Sequence, residues 1–505
     1  MRRFKLAYCF WGICFVAGLL WPMSAGAGGT ETRVVIGANA DAQSLDPVLT
    51  RDATTMRVLR HIYDTLFYRD RDMKLIPQLA ESYQFVNDVT WIIKLRKVIK
   101  FHNGETFNAE AVKFTIDFAL DPANKALTNP LVNRIERVEI IDDYTVKITT
   151  KVPYVTMPEN LMELYIAPPK LAKGKGMTYL TQHPVGTGAY RLESWSKDRE
   201  IVLVRNMLYW QGVPEIDKVV FRVIPEVGPR VAALVVGEVD IIPDVPPHLI
   251  QQVKNSGVAS VKGVPGARIV FVALDNINKG PMQDVRVRQA MNYGVSVNDI
   301  IATIVEGYAT ATPGGLSSVN KDYDPSLKPY PYDPEKAKKL LKEAGFSGGL
   351  NLTLHSCEGR YLKDKEFAQA IAAQLAKIGV NVKVAFHEWG NYLQMLKSYK
   401  AGDMHVFGRK DVELEGGTMY AWFKSKASWV TFSDPEIDRL LDKAVAVVDP
   451  KSRQAGFYQL QRKIQEAAPW IFLWQQHDLY GVSNRLDWTP RADEQYYLFD
   501  AKVKN

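Results

Sequence analysis

The sequence predicts an α/β fold, because strand-like segments rich in β-branched residues alternate along the chain with segments of helical periodicity. The predicted strands are short apolar or alternating runs and cover residues 33–38, 91–95, 138–148, 201–204, 219–224, 269–274, 350–354 and 380–385. Apolar residues at helical spacing predict helices over residues 109–120, 335–344 and 364–378. Asp333 and Pro334 are typical of a helix start, and Gly345 and Gly379 of helix ends.

The length of 505 residues predicts two or three domains, each with a buried core. Turn-forming residues predict one domain boundary near residues 183–188. A second boundary is predicted near residues 276–281, where a predicted strand gives way to turn residues.

Residues 1–27 have the three-part pattern of a secretory signal peptide. Three basic residues precede the apolar run of residues 6–21, and small residues follow it up to Ala27. The apolar run is shorter than the ~20 residues that cross a bilayer as a helix, which disfavours the alternative of a membrane anchor. We therefore expect cleavage near Ala27, a mature chain that begins near Gly28, and a periplasmic location.

Charge and cysteine content narrow the class of protein further. The formal net charge of +7 falls to about +4 once the three basic residues of the signal segment are subtracted. Basic residues are dispersed among acidic ones, which argues against nucleic acid as a partner. Cys357 is the one cysteine of the expected mature chain, so no intramolecular disulfide is expected and the core must stabilise the fold.

A secreted hydrolase is one class of exported protein to consider, but the sequence lacks the common signatures of that class. It contains no Gly-x-Ser-x-Gly motif. His387 and Glu388 begin like a zinc-protease motif, but Asn391 stands where the second histidine would be needed. The histidines are scattered, so no metal site is predicted. We expect neither catalysis nor a cofactor.

Short motifs in a fixed order resemble a known family. They are Ser44-Leu45-Asp46-Pro47, Ile62-Tyr63-Asp64-Thr65-Leu66, Pro77-Gln78-Leu79-Ala80-Glu81-Ser82-Tyr83, Gly186-Thr187-Gly188-Ala189-Tyr190, Gly237-Glu238-Val239-Asp240-Ile241, Asp284-Val285-Arg286-Val287-Arg288-Gln289-Ala290 and Tyr332-Asp333-Pro334-Glu335-Lys336-Ala337. In these motifs the chain resembles the large periplasmic solute-binding proteins of peptide, nickel and opine ABC importers, known as solute-binding protein family 5. The motifs run through most of the expected mature chain.

The resemblance implies the two-lobed periplasmic-binding-protein fold of the large peptide-binding type, with an extra small domain and a hinged ligand cleft. Lobe I would consist of residues 28–69, 183–275 and 476–505, and lobe II of residues 276–475. The small accessory domain would cover residues 70–182 and pack on lobe I. The implied function is that of a monomer that captures a short peptide and delivers it to the membrane subunits of an importer. An opine, glutathione or another non-peptide solute remains an alternative ligand.

The resemblance also implies ligand-binding residues. A zwitterionic peptide needs an opposite charge for each end when it leaves water, typically an acidic residue for the amine and an arginine for the carboxylate. Arg360 matches the carboxylate-binding arginine of dipeptide-binding relatives, with Tyr361 beside it. Trp389 matches their ligand-stacking tryptophan, and Asp411 matches the aspartate that binds the peptide amine.

The segment around Asp411 departs from the family pattern. Relatives commonly have a Gly-Trp pair shortly before this aspartate, whereas Phe407-Gly408-Arg409-Lys410 precedes it here, and two added carboxylates follow it. Two interpretations remain open. Either the pocket takes a different ligand, or its wall has been rebuilt with Arg409, Glu413 and Glu415.

Overall fold

The computed structural model describes residues 31–358, 360–411, 414–425, 427 and 430–504, and the predicted signal peptide lies outside the described residues. From Thr32 onward the chain forms one compact unit. No helix within this described part is both long and apolar enough to cross a bilayer.

The described strands, in chain order, are β1 (Arg33–Ala38), β2 (Phe67–Arg69), β3 (Leu75–Pro77), β4 (Ala80–Asn87), β5 (Thr90–Leu95), β6 (Ile135–Asp142), β7 (Thr145–Thr150), β8 (Tyr190–Ser196), β9 (Glu200–Arg205), β10 (Lys218–Val223), β11 (Ile241–Ile242), β12 (Ala259–Leu274), β13 (Ala309–Ala311), β14 (Leu350–Cys357), β15 (Val380–His387), β16 (Met404–Lys410), β17 (Trp470–Ser483), β18 (Leu486–Asp487) and β19 (Lys502–Val503).

The described α-helices are α1 (Ala53–Ile62), α2 (Ala109–Leu120), α3 (Asn129–Val132), α4 (Met157–Leu161), α5 (Pro169–Lys175), α6 (Val227–Val235), α7 (Pro247–Asn255), α8 (Val285–Gly294), α9 (Val297–Thr303), α10 (Pro334–Glu343), α11 (Asp364–Ala376), α12 (Trp389–Lys397), α13 (Gly416–Tyr420), α14 (Pro435–Ala446) and α15 (Pro450–Ala467). Single 3₁₀ turns lie at Pro122–Asn124, Met177–Thr181, Pro281–Gln283 and Ala421–Phe423.

Most of the described strands belong to one mixed sheet with the order β15-β14-β16-β12-β17-β11-β1-β10-β9-β8, and β13 pairs with β17 outside this path. On one side, β1 runs parallel to β10 and β11. On the other side, β14 runs parallel to β15 and β16. The antiparallel pair of β12 and β17 joins the two sides. We call these parts of the sheet the β1 side and the β14 side.

The β12–β17 pair contributes to the cores of both sides. Tyr480 and Val482 of β17 pack in the apolar core of the β1 side. Ile471 and Leu473 of the same strand pack in the core of the β14 side. Because each long strand is anchored in two cores, the two sides are connected through the middle of these strands.

The register of the β12–β17 pair is broken at the point where the strands pass from one side to the other. Pro265 pairs with His477, and the ladder resumes only where Ile269 pairs with Gln475. A proline has no N–H to donate, which explains an interruption of the ladder at this position. The three residues between the two pairs, 266–268, form an irregular segment beside β17.

A separate four-stranded antiparallel sheet has the order β4-β5-β7-β6. Trp91 and Ile93 of β5 share an apolar core with Val112 and Ile116 of α2. The strand predicted over residues 138–148 is in fact two strands, β6 and β7. Asp142 accepts a hydrogen bond from the backbone N–H of Tyr144 at 2.8 Å and so stabilises the turn between them.

The predicted α/β elements are confirmed, with one strand much longer than predicted. β1 and α2 have the predicted bounds, and α10 and α11 differ from theirs by one or two residues. β12 begins at Ala259 rather than at residue 269. Its first half contains Gly263, Pro265 and Gly266, which are poor strand formers, and it is held as a strand by pairing with β17.

Candidate functional site

A cavity of about 820 Å³, which we call the cleft, lies beside the irregular segment of β12. One wall comes from α1 and from residues 244–248, which follow β11. The opposite wall consists of residues 358 and 360–366, which run from the end of β14 into the first turn of α11. Residues 476–479 of β17 form the back of the cleft. Both sides of the sheet therefore contribute to one concave surface, the type of place where proteins bind small molecules.

The start of α11 positions Arg360. The Oδ2 atom of Asp364 accepts hydrogen bonds from the backbone N–H groups of Arg360 at 2.8 Å and Tyr361 at 3.0 Å. Asp364 is buried, whereas the side chain of Arg360 is exposed in the cleft. A backbone held by hydrogen bonds therefore presents an exposed, charged side chain to the cleft.

The guanidinium of Arg360 lies over two aromatic rings. Its carbon atom is 5.1 Å from the ring centre of Trp389 and 5.6 Å from that of Tyr361. Such cation–π contacts orient the planar group while leaving its N–H donors available. Arg360 takes part in no ion pair with another described residue, so its charge is available to an incoming anion.

Tyr361 and Trp389 are both held by β16. The hydroxyl of Tyr361 accepts a hydrogen bond from the backbone N–H of Gly408 at 2.8 Å. Burial raises the pKa of Tyr361 to about 12, so the ring stays neutral. The half-buried Trp389 ring stacks on Phe407, with 6.3 Å between ring centres. The structure thus brings together Arg360, Tyr361 and Trp389, as the family resemblance implied; their role in binding stays a prediction.

Asp411 is placed apart from these three residues. It follows β16, is 2% exposed, and accepts a hydrogen bond from the side-chain amide of Asn320. Its backbone N–H donates to the carbonyl of Ala267, within the irregular segment of β12, at 3.1 Å. Asp411 is not among the described residues that line the cleft. Its predicted contact with a ligand amine stays a prediction.

The residues proposed to rebuild the wall near Asp411 have different environments. Glu415 caps the start of α13 by accepting a hydrogen bond from the backbone N–H of Thr418, and it forms a buried ion pair with Arg453. The carbon of the Arg409 guanidinium lies 4.1 Å from the ring centre of Trp422. Glu413 lies outside the described residues. Glu415 therefore has a structural partner inside the protein.

Trp422 was missed by the sequence analysis. Its ring stacks on Phe407, with 5.5 Å between ring centres, and Phe407 in turn stacks on Trp389. A tryptophan is expected before Asp411 in the family pattern, and here one is supplied from a segment that follows it. The sequence shows that Phe407 and Trp422 are both aromatic, but it does not show that they are in contact. That contact depends on the path of the chain between them.

Charged residues on the back of the cleft were also missed. Glu494 forms ion pairs with Arg57 at 2.9 Å and Lys410 at 2.8 Å. The Oδ2 atom of Asp478 is buried and has no hydrogen-bond partner among the described residues. Burial, followed by the negative charge of Glu494, raises the pKa of Asp478 to about 7. An isolated acidic residue within a strand carries no motif that sequence analysis could detect.

The raised pKa of Asp478 makes the free energy of unfolding depend on pH. Because its pKa is raised from the ordinary 3.8 to about 7, the folded protein binds a proton more tightly than the unfolded chain between these values. The carboxyl group therefore lowers the free energy of unfolding as the pH rises from 4 to 7. The charges of Glu494, Lys410, Asp244 and Arg268 also act on the Asp478 carboxyl group. These four residues are unchanged when only Asp478 is substituted.

We expect the Asp478→Asn variant to become more stable relative to the wild type as the pH is raised from 5 to 8. Denaturant midpoints measured across this range would check it. A stability difference that does not change with pH would contradict the raised pKa.

Cys357 is a poor candidate for a nucleophile. It is buried at the end of β14, with its sulfur 3.7 Å from the Oδ2 atom of Asp364. Burial raises the pKa of Cys357 to about 12, so the thiol stays protonated at neutral pH. Among the described residues, no group of three histidine, cysteine or acidic side chains is arranged to hold a metal ion.

A model of the bacterial extracellular solute-binding proteins, family 5, matches residues 74–429 of the chain. The chain belongs to this family. The glutathione-binding protein GsiB of Pectobacterium atrosepticum is similar to this solute-binding protein, with 32% identity over 474 residues that cover 90% of this chain and 91% of GsiB.

Solved structures of similar proteins share the fold of this solute-binding protein. HbpA2 from Haemophilus parasuis matches with a TM-score of 0.83 and 24% identity, over 94% of this chain and 100% of that one. The periplasmic binding protein DppA from Helicobacter pylori, in complex with the peptide STSA, matches with a TM-score of 0.70 and 27% identity, over 94% of this chain and 98% of that one.

Family membership confirms the predicted two-lobed α/β fold and the predicted class of protein. This is an extracytoplasmic solute-binding protein of an ABC importer, and its family is one of binding proteins rather than enzymes. Members of the family bind small ligands and work with the membrane subunits of the importer.

Proposed function

We propose that this protein captures a short peptide-like solute in the cleft, with glutathione as the first candidate, and delivers it to an importer. The exposed guanidinium of Arg360, held over Trp389 within a cavity walled by both sides of the sheet, is the observation that carries this proposal. Similarity to GsiB over 90% of the chain supports glutathione as the first solute to test.

The size and chemistry of the cleft suit such a solute. Its volume of about 820 Å³ lies within the usual range for small-molecule sites, roughly 300–1,000 Å³. The guanidinium of Arg360 can form two parallel hydrogen bonds to a carboxylate. Tyr361, which lines the cleft, would then contact the part of the ligand next to that carboxylate, and Trp389 would support the guanidinium from outside the described lining. Peptides and glutathione both carry the carboxylate that this arrangement requires.

The β12–β17 pair is proposed as the hinge. The irregular segment at residues 266–268 lies where both strands pass between the two cores, and the β12–β17 ladder is interrupted there. Lobe I would contain the β1 side and lobe II the β14 side, with the small domain over residues 70–182. The ligand would favour closure by binding the closed form more tightly than the open one.

Saturating ligand should stabilise the protein and make it more compact. A ligand that binds only the folded state adds about 2.7 kcal/mol to the free energy of unfolding at a hundred times its dissociation constant. Glutathione, dipeptides, tripeptides and opines should be compared by calorimetry, thermal unfolding and solution scattering. At least one of them should raise the melting temperature and lower the radius of gyration.

Two results of this comparison would contradict parts of the proposal. Tight binding without compaction would contradict the hinge, and binding of none of these solutes would contradict the peptide-like ligand.

We also propose that the protein acts as a monomer, that it is exported through the signal peptide predicted over residues 1–27, and that it does not alter its ligand. Mass spectrometry of the ligand recovered after prolonged incubation should therefore show it unchanged.

A further inference from the structure

We infer that Asp478, rather than Asp411, receives the ammonium group of the ligand and makes the cleft selective for solutes with a free amine. This inference rests on the proposed function, because it assigns the second charged end of the same ligand. Asp478 and Arg360 both line the cleft, from β17 and from the β14–α11 loop respectively. A solute with a carboxylate and an amine can therefore contact both side chains from one cavity.

The irregular segment of β12 makes room for the Asp478 carboxylate. Asp478 pairs with Val264, just before the break in register. A methyl group placed on Gly266 would lie 2.3 Å from the Oδ2 atom of Asp478, which is too close for any side chain. The Gly266 carbonyl accepts a hydrogen bond from the Gln475 amide at 2.7 Å, which fixes the segment against β17. The carboxylate is thus held against a backbone surface that only glycine provides.

The nearby cations have other partners, which leaves Asp478 to a ligand. Arg57 and Lys410 are both paired with Glu494. Arg268 donates a hydrogen bond to the carbonyl of Gly408 at 3.4 Å. The buried Oδ2 atom of Asp478 has no partner among the described residues. Asp478 as a whole is half-buried and lines the cleft, so an ammonium group there would lie next to its carboxylate and stabilise the charge that burial penalises.

Asp411 lies in a different place from Asp478. Its carboxylate already accepts a hydrogen bond from the Asn320 amide, and the residue is 2% exposed. It does not belong to the described lining of the cleft that contains Arg360. An amine in the cleft would reach Asp411 only after the wall had rearranged, whereas Asp478 already lines the cleft.

The test compares free and blocked amines in two matched carboxylate variants. Asp478→Asn and Asp411→Asn would be made in the full mature chain, with Glu358→Gln as the control. Glu358 lines the same cleft but is paired with Lys365. The probes are glutathione and glutathione acetylated at its amine, with Ala-Ala and N-acetyl-Ala-Ala as a second pair. Calorimetry gives the affinity for each probe.

The wild type should prefer the free amine by about 30-fold or more, the range expected for a lost partner in a buried charge pair. Asp478→Asn should lose most of this preference and bind the acetylated probe as well as the wild type does. Asp411→Asn and Glu358→Gln should keep the preference. Gly266→Ala, which displaces the Asp478 carboxylate without removing it, should reduce the preference as well.

Other outcomes separate this inference from the proposed function. If Asp411→Asn loses the preference while Asp478→Asn keeps it, the inference is wrong and the assignment from family resemblance is correct. The proposed function then still stands, because the probes bind. An equal affinity of the wild type for free and acetylated probes would also overturn the inference alone. If neither probe pair binds, the proposed function fails, and the inference fails with it.

Discussion

Arg360→Ala should weaken binding of a carboxylate-bearing solute about 30-fold or more, because the ligand carboxylate would enter the cleft without its charged partner. Truncation of one member of a buried charge pair costs about 2–5 kcal/mol or more. The free protein should hardly change in stability, since the Arg360 side chain is exposed and forms no ion pair with another described residue. Calorimetry with glutathione and thermal unfolding of the free protein would measure the two effects.

Two matched variants make this result specific. Lys365→Ala removes another cation from the lining of the cleft, but Lys365 is paired with Glu358 at 2.9 Å, so affinity should stay close to that of the wild type. Arg360→Lys keeps the charge but loses the bidentate geometry, and should give an intermediate affinity. Equal losses in Lys365→Ala and Arg360→Ala would show that only the overall charge of the cleft matters.

Arg453→Met should destabilise the protein by about 3–5 kcal/mol, because it leaves the buried carboxylate of Glu415 without its partner. The Arg453 and Glu415 side chains are 6% and 7% exposed. Arg453 also donates to the backbone carbonyls of Ala444 and Val445, which ties α15 to the end of α14. The free energy of unfolding from denaturant titration would measure the loss.

The double variant Arg453→Met with Glu415→Gln provides the control. It removes both charges, so it should recover a large part of the lost stability. The ligand affinity of the folded protein should be close to that of the wild type, because neither residue is among those described as lining the cleft. If the double variant is no more stable than Arg453→Met, the buried charge is not the cause. A large loss of affinity would instead support the interpretation in which Glu415 belongs to the ligand site.

Much of the candidate site could be predicted because its residues are close in sequence to recognisable motifs. Arg360 and Tyr361 follow a predicted strand and precede a predicted helix, and Trp389 begins the helix after the next strand. In parallel strands such as β14 and β15, the carboxyl ends meet at one edge of the sheet. The segments that follow the two strands therefore come together, and the three side chains meet as expected.

Asp478 and Trp422 could not be predicted in the same way. Asp478 reaches the cleft because β17 pairs with β12, whose residues lie more than 200 positions earlier. Trp422 meets Phe407 because the chain returns to β16 after a short helix. Neither contact leaves a periodic pattern, since both depend on pairing and packing between distant segments.

The α/β class, the family and the bounds of elements such as β1 and α2 can be inferred without a structure, because periodicity, capping residues and motif order are local properties of the chain. Which carboxylates line the cleft depends on how distant segments pack. The family resemblance pointed to Asp411, and no motif pointed to Asp478. The break in the β12 ladder at Pro265 and the absence of a side chain at Gly266 make room for Asp478, which lines the cleft, while Asp411 bonds to the Asn320 amide outside the described lining. Burial and hydrogen bonding arise from contacts between distant segments, which exist only once the chain has folded.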